Sequence, residues 1–373
     1  MFDGQFRSQA ETQLRPIGTT LRKAGITADL DQVHDIIATV KTGMKKDGTI
    51  LAKDYKVIYD GGAYSSTGPI ATSIPFYVYE ECYRFPNVRY NGYRVFTNKG
   101  IRGMYGCHGR AFLAGNEAQM DVMAKELGLD PVGVRLKNGL KPGEMTATKS
   151  KITSCGLKET ITTASEKTNF RKRWAKPSRL KGVGMGCVAI MCGFPMGFRS
   201  GSSCYVKIND DGQATLVTGL VDNGQGNESM VIQVASEVLG IPMKDINLVN
   251  ADTEVTNLDP GAYSQAAAFV GANAVRVACE NARGKIVAIA AEKLKVKVKD
   301  IGLKDGAAYS LKNPDKKMPI SWVVREAFFR GEPITGTGSF FPNIDFEREW
   351  VTRPWGQMAG TFSFGTSVAE VSI

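Results

Sequence analysis

Histidine is almost absent from this chain: only His34 and His108 occur in 373 residues, leaving little room for an imidazole metal centre. The seven cysteines, at positions 82, 107, 155, 187, 192, 204 and 279, form no Cys-x-x-Cys pair. The step from Cys187 to Cys192 is too wide for a zinc knuckle, so buried reduced thiols are expected. No cysteine pattern for iron–sulfur clusters and no dinucleotide fingerprint is present. Any metal would have to arrive inside a cofactor. Long apolar runs are also missing, and Met1-Phe2-Asp3-Gly4 opens no signal peptide, so cytoplasmic residence without a membrane span is the expectation.

What is present is an ordinary globular composition, 43% hydrophobic and 23% charged, with 41 glycines and a net charge of +10. The length allows two or more packed units. Much of the positive excess lies in Arg171 to Lys181 and in Lys293 to Lys299. The first run contains Pro177 and reads as a linker. The second alternates lysine with apolar residues, as an edge strand with one solvated face would. No nucleic-acid motif accompanies either, and nucleic acid is not an expected partner. A basic surface equally suits a phosphate-bearing cofactor or an acyl-CoA substrate.

Residues 1–37 carry no clear pattern. Residues 36–41 and 50–59 read as strands around an Asp47-Gly48 hairpin turn, and 89–97 as a further strand. A helix is expected over 111–127, with Phe112, Ala114, Met120, Met123, Ala124 and Leu127 on its buried face and Gly128 closing it. Asp130-Pro131 opens a second helix. Later, 203–208 and 213–218 form a hairpin, 227–239 a helix ended by Gly240, 246–250 a strand and 274–294 a long helix. The alternation lacks a regular βαβ rhythm, which predicts α+β with mixed sheets and packed helices.

The most informative segment is Thr218 to Met230. A strand ends in Asp222-Asn223-Gly224-Gln225-Gly226, and a helix starts at Asn227. Two glycines around one amide side chain let backbone N–H groups approach a ligand at a helix N-terminus. About thirty residues on, Asp259-Pro260-Gly261-Ala262-Tyr263-Ser264-Gln265 makes a second glycine-and-serine turn before another helix. Either turn alone is better read as tight β–α geometry; two in order reverse that preference.

With these segments the chain resembles the molybdopterin-binding large subunit of the xanthine dehydrogenase and molybdenum hydroxylase family, nearest its 4-hydroxybenzoyl-CoA reductase branch. Lys41 to Gly48, Asp60 to Ser65, Arg102 to Gly109, Glu117 to Asp121 and Glu126 to Pro131 resemble the same family in the same order. The resemblance implies a molybdenum–molybdopterin cofactor, in its cytosine dinucleotide form, held by Gly224, Gln225, Gly226, Asn227, Ser264 and Gln265. Gly103, Met104, Tyr105 and Gly106 would stand beside the metal, with Tyr105 where the family has arginine. No residue of this chain would bind the metal directly. The implied reaction is hydroxylation or reductive dehydroxylation of an aromatic, heterocyclic or aromatic acyl-CoA small molecule. Electrons would pass to an iron–sulfur subunit and an FAD-binding subunit in a hetero-oligomer.

Three departures are visible. Ala266-Ala267-Ala268 replaces a stretch with arginine and threonine in the branch. An early Phe-Gly-Gly motif is missing from residues 1–37. No Gly-x-Gly-Glu-like motif with the family's catalytic glutamate occurs before Ile373, so the catalytic residue is unassigned and the chain reads as a fragment, a split subunit or an inactive copy. The expected division is a poorly matched 1–37, a first cofactor-binding portion 38–170, a basic linker 171–182 and a second, truncated portion 183–373. A non-catalytic scaffold that keeps the fold is the alternative, and a basic nucleic-acid-binding protein the weakest reading.

Overall fold

The computed structural model describes residues 10–12, 36–65, 72–73, 76, 82–100, 110–176, 180–194, 200–344 and 356–372. It divides into two compact units, residues 1–191 with 345–373, and residues 192–344. The division falls inside a strand, after Met191, rather than at the basic run 171–182.

The first unit opens with a four-stranded sheet, β1 (Ala10–Thr12), β2 (Ile36–Met44), β3 (Ile50–Asp60) and β4 (Asn87–Val95), in that order. β2 and β3 are antiparallel around the expected turn, where Gly48 takes φ 83° and its N–H donates to the Lys45 carbonyl. β4 lies parallel to β3. Helix α1 (Arg110–Glu126) follows, with Gly128 in a left-handed conformation beyond its end. Helix α2 (Pro131–Asn138) starts at Asp130, whose carboxylate accepts from the Val132 and Gly133 N–H groups.

The buried face of α1 differs from the apolar stripe expected. Met120, Met123 and Ala124 are buried, but so are Asn116, Glu117 and Gln119, while Ala114 is exposed. Gln119 accepts from the Thr42 hydroxyl at 2.7 Å and donates to the Val40 carbonyl at 2.9 Å, both on β2, while Glu117 is matched by Arg135 of α2. Arg135 is 0% exposed and donates to Glu117 Oε2 at 3.0 Å and to Asp121 Oδ1 at 2.6 Å. It also donates to the carbonyls of Pro131, Glu117 and Met185. The Cys187 N–H adds a bond to Glu117 Oε2 at 2.9 Å. Periodicity of apolar residues cannot register a helix face buried through charge pairing. Helices α3 (Leu157–Lys167) and α4 (Phe170–Trp174) complete this part, so the basic run begins as helix, and β5 (Lys181–Cys192) follows.

The second unit holds a four-stranded sheet in the order β12 (Thr335–Phe340), β6 (Ser202–Ile208), β7 (Ala214–Thr218) and β8 (Ile246–Asn250). β6 and β7 are the expected hairpin, with Gly212 at φ 92°. Helix α5 (Asn227–Leu239) crosses to β8, which runs parallel to β7. Helix α6 (Ala272–Leu294) carries the core: Val275, Ala278, Ala282, Ile286 and Ile289 are buried. A small sheet, β9 (Ile301–Lys304), β10 (Ala307–Ser310) and β11 (Lys317–Pro319), leads to α7 (Ile320–Phe329) and β12 (Thr335–Phe340). β13 (Thr361–Ser372) returns to pair with β5 in the first unit.

The expected edge strand 293–299 is not one. Helix α6 continues through Leu294, Lys295 turns left-handed at φ 54°, and Val298–Asp300 form a single 3-10 turn. The packed face of a 23-residue helix outweighs a short alternation of lysine and apolar residues. Six cysteines, 82, 155, 187, 192, 204 and 279, are free thiols, and all but Cys155 are buried. Burial pushes Cys187 up to about 11 and Cys204 up to about 12, so both stay protonated at neutral pH.

Candidate functional site

β7 and β8 are neighbours, parallel, and joined through α5, so their carboxyl ends open on the same edge of the sheet. In open α/β sheets that edge is where ligands bind. Both glycine turns leave from it. After Thr218, Gly219 lies against the second loop so closely that a Cβ there would stand 2.2 Å from the Asn257 carbonyl oxygen. Only glycine permits that approach. Ser202 Oγ donates to Asp259 Oδ2 at 2.6 Å, and the Gly261 N–H donates to Asp259 Oδ1 at 2.9 Å. Asn250, at the end of β8, reaches back through Nδ2 to the Leu220 carbonyl and Glu228 Oε1. The structure therefore brings together the segments 219–228 and 257–271.

The first turn is exposed and tightly organised. Gly224 and Gly226 take φ 95° and 84°. Their N–H groups point at the Asp222 carboxylate: Gly224 N donates to Oδ1 at 2.6 Å, Gly226 N to Oδ1 at 3.4 Å and Glu228 N to Oδ2 at 3.4 Å. The Gly224 N–H is the largest influence holding the Asp222 carboxyl below its ordinary value, with the Glu228, Gly226 and Asn227 N–H groups adding to it. The turn is a concave nest of amides, and its own aspartate sits in it. Gln225 Oε1 accepts from the Asn223 N–H at 2.6 Å, leaving Nε2 without a partner among the described residues. Asn227 is buried; its Nδ2 donates to the Val221 carbonyl at 2.8 Å, bracing the turn from beneath.

The second turn has a different character. Ser264 and Gln265 are consecutive residues in the left-handed region, at φ 50° and 51°. Neither is glycine, and such residues cost about 1–3 kcal/mol each. The pair is pinned by the Gly193 N–H to the Ser264 carbonyl at 2.8 Å and the Phe194 N–H to Ser264 Oγ at 3.1 Å. A five-residue π-turn, Ala267–Gly271, then widens the start of α6, the kind of irregularity frequent at functional sites. Ala266 and Ala267 are buried, so two of the three alanines are packing residues, whereas Ala268 and Gln265 are exposed.

Of the residues expected at the site, Gly224, Gln225, Gly226, Asn227, Ser264 and Gln265 thus belong to this edge of the second unit. Gly103, Met104, Tyr105 and Gly106, with His108, lie outside the described residues. Sequence reasoning missed Asp222. The signal was available: a carboxylate two residues before a Gly-x-Gly turn is placed to accept from its amides. Among the described residues no cluster of three or more His, Cys, Asp or Glu is arranged to hold a metal ion. Nor is any described helix long and apolar enough to cross a membrane.

Two family models, each described as molybdopterin cofactor-binding domain, match residues 15–139 and 157–373. The chain belongs to this family, which also includes xanthine dehydrogenases and aldehyde oxidoreductases. It is 31% identical over 252 residues to the aldehyde oxidoreductase of Megalodesulfovibrio gigas, spanning 65% of this chain and 27% of that protein. It is 28% identical over 313 residues to a putative xanthine dehydrogenase molybdenum-binding subunit of Escherichia coli, spanning 80% of this chain and 41% of the relative. Quinoline 2-oxidoreductase of Pseudomonas putida 86 superposes with a TM-score of 0.72 at 25% identity, covering 91% of this chain and 45% of that one. The chain spans less than half the length of these relatives.

Proposed function

We propose that this chain supplies the pterin-holding part of a molybdenum-dependent oxidoreductase, with Gly224, Gln225, Gly226, Asn227, Ser264 and Gln265 as the grip and Gly103 to Gly106 beside the metal. One observation carries the reading: a strained left-handed pair, Ser264-Gln265, fixed by two backbone N–H groups on the same sheet edge as an exposed Gly-Gln-Gly turn. Strain held at such a place suits a ligand clamp better than it suits folding. The donor set fits a pterin. Gln225 and Gln265 are exposed, uncharged amides, each able to give and accept bonds in fixed directions along the edge of a flat heterocycle. Asn227 and Asp222 keep the first turn in shape for it.

When bound, the group supplies a molybdenum centre able to exchange an oxygen atom and an electron pair with a substrate. The chain's own residues bind and orient it. The reading extends to hydroxylation or reductive dehydroxylation of an aromatic or heterocyclic molecule or an aromatic acyl-CoA. Support for a ring substrate comes from relatives named quinoline 2-oxidoreductase and nicotine 6-hydroxylase large subunit. It further extends to a cytosine dinucleotide form of the cofactor and to separate iron–sulfur and FAD subunits.

The test is to purify the protein with its partners from its own host and measure molybdenum and pterin per chain. About one of each is expected, together with cytidine monophosphate released on acid hydrolysis and co-purifying iron and flavin. Native protein free of both molybdenum and pterin overturns the reading and leaves a scaffold.

A further inference from the structure

The cofactor reading leaves unused the basic run that follows α3. In the first unit a cleft of about 440 Å³ is lined by Asn169, Lys172, Arg173, Lys176, Lys181 and Glu370, with Gly182 and Val183 also on its wall. The volume lies within the range of small-molecule sites. Its charge is uneven: four cations face one carboxylate. Glu370 of β13 is already engaged in an ion pair with Arg173, which ties α4 to β13 across the cleft. Lys172, Lys176 and Lys181 have no carboxylate partner among the described residues.

Three unpaired ammonium groups around one concavity repel one another, and the unit makes no use of that repulsion. Elsewhere in this unit carboxylates do answer cations. Lys137 meets Asp47 at 2.8 Å, Arg171 meets Asp130 at 2.8 Å and Arg84 meets Glu144 at 2.9 Å. Arg171 is particularly telling, because it neighbours Lys172 in sequence and finds its partner outward, leaving Lys172 and Arg173 to the cleft. Asn169, at φ 51°, opens α4 at the same rim and adds an amide that can bond a phosphate oxygen.

We propose that this cleft binds an organic diphosphate, with Lys172, Lys176 and Lys181 as the charge partners and Arg173, oriented by Glu370, as the directional donor. Lysines act on phosphate as mobile point charges, and arginine fixes its direction. The ligand class is a nucleotide or another phosphate-bearing carrier molecule. The site uses no residue of the glycine turns and does not depend on the pterin reading.

The experiment is equilibrium titration of the whole chain at low salt with inorganic pyrophosphate, ADP and coenzyme A. One saturable site is expected, weakening as salt rises. Lys172→Glu with Lys176→Glu should lower affinity at least about tenfold, the scale of one charge-assisted hydrogen bond. Lys297→Glu with Lys299→Glu makes the same change in net charge within the other unit and should leave affinity within about twofold. All four lysines are exposed, and equal melting temperatures would establish that both double variants fold. Tighter binding of ADP or coenzyme A than of pyrophosphate assigns a nucleotide-bearing ligand; equal binding assigns the diphosphate alone. No saturable binding, or equal weakening in both double variants, overturns the proposal, since the chain's overall positive charge would then account for everything.

Discussion

The two units solve the problem of burying polar chemistry in opposite ways. In the first, Lys53, Asp60, Glu117 and Arg135 are buried, and α1 and α2 are joined by an ion network that also reaches the Met185 carbonyl on β5. In the second, the large core is aliphatic and rich in alanine, and no charged residue among those described is buried. Its polar groups are sent to the carboxyl edge of β7 and β8, where they organise exposed turns. A buried ion network resists rearrangement but depends on every member. A small-residue core allows close backbone approach and leaves the edge free to carry strained, exposed geometry. The unit with the simpler interior is the one with the candidate site.

The sharpest way to break this contrast is Arg135→Met. It leaves the buried Glu117 and the partly buried Asp121 without their cation, which costs about 3–5 kcal/mol. Urea unfolding followed by probes specific to each unit should show that loss. Replacing all three charges together, as Glu117→Gln, Asp121→Asn and Arg135→Met, should destabilise less than the single change. Arg171→Ala, which breaks an exposed pair with Asp130, should move stability by no more than about 0.5 kcal/mol. If Arg135→Met proves as mild as Arg171→Ala, the network is not what holds α1 to α2.

The second unit has a corresponding weak point made of shape alone. At Gly338 on β12, a Cβ would stand 2.3 Å from the Ala278 nitrogen and 2.5 Å from the Ala274 carbonyl oxygen. These are backbone atoms of α6 and cannot swing aside. Gly338→Ala should therefore cost about 1–3 kcal/mol through overpacking. Thermal unfolding checks it, and a neutral outcome would mean that α6 and β12 are not in such close contact.

How legible these features were in sequence follows the same divide. In the second unit most local signals agree with the fold, the lysine alternation at 293–299 excepted: the hairpin turn at Gly212, the helix end at Gly240 and the apolar spacing of α6 stand where residue patterns put them. Both glycine turns were found because glycine and amide residues announce backbone geometry directly. The first unit was harder. The inward face of α1 holds Asn116, Glu117 and Gln119, which a polar–apolar pattern assigns to solvent; Glu117 is matched by Arg135, 18 residues beyond it, and Gln119 by Thr42 and Val40 of β2. The lysine alternation at 293–299 failed for the opposite reason: a strand-like local pattern was overridden by a long packed helix. Asp222 is marked not by what the turn could give a ligand but by what the turn's own amides already hold.

Next in size come the glutamine amides. Gln225→Ala combined with Gln265→Ala should leave unfolding nearly unchanged, since both side chains are exposed and only Gln225 Oε1 accepts a local bond. Pterin retention through gel filtration should fall about tenfold, equivalent to about 1.4 kcal/mol. Loss of stability with full retention would reverse the assignment and make these residues part of the frame rather than the grip.

The smallest effect separates the two ways of using a carboxylate. Glu117 and Asp121 are neutralised by a buried arginine, whereas Asp222 is held only by N–H dipoles of an exposed turn. Those dipoles favour its charged form, so its folded-state pKa lies below the unfolded value near 3.8. A depressed carboxyl pKa contributes stability that is fully present above the unfolded pKa and is lost as pH falls through the folded one. Asp222→Asn keeps the shape but removes the titration. The gap in stability between wild type and variant should hold steady from neutral pH to about 5, then close on the acid side as wild-type Asp222 gains its proton. A gap that persists unchanged through the acid limb would mean that the carboxylate does not sit in the nest. A gap that closes would identify Asp222 as the anion that preorganises the Gly-Gln-Gly turn, a role that needs charge at a surface rather than charge in a core.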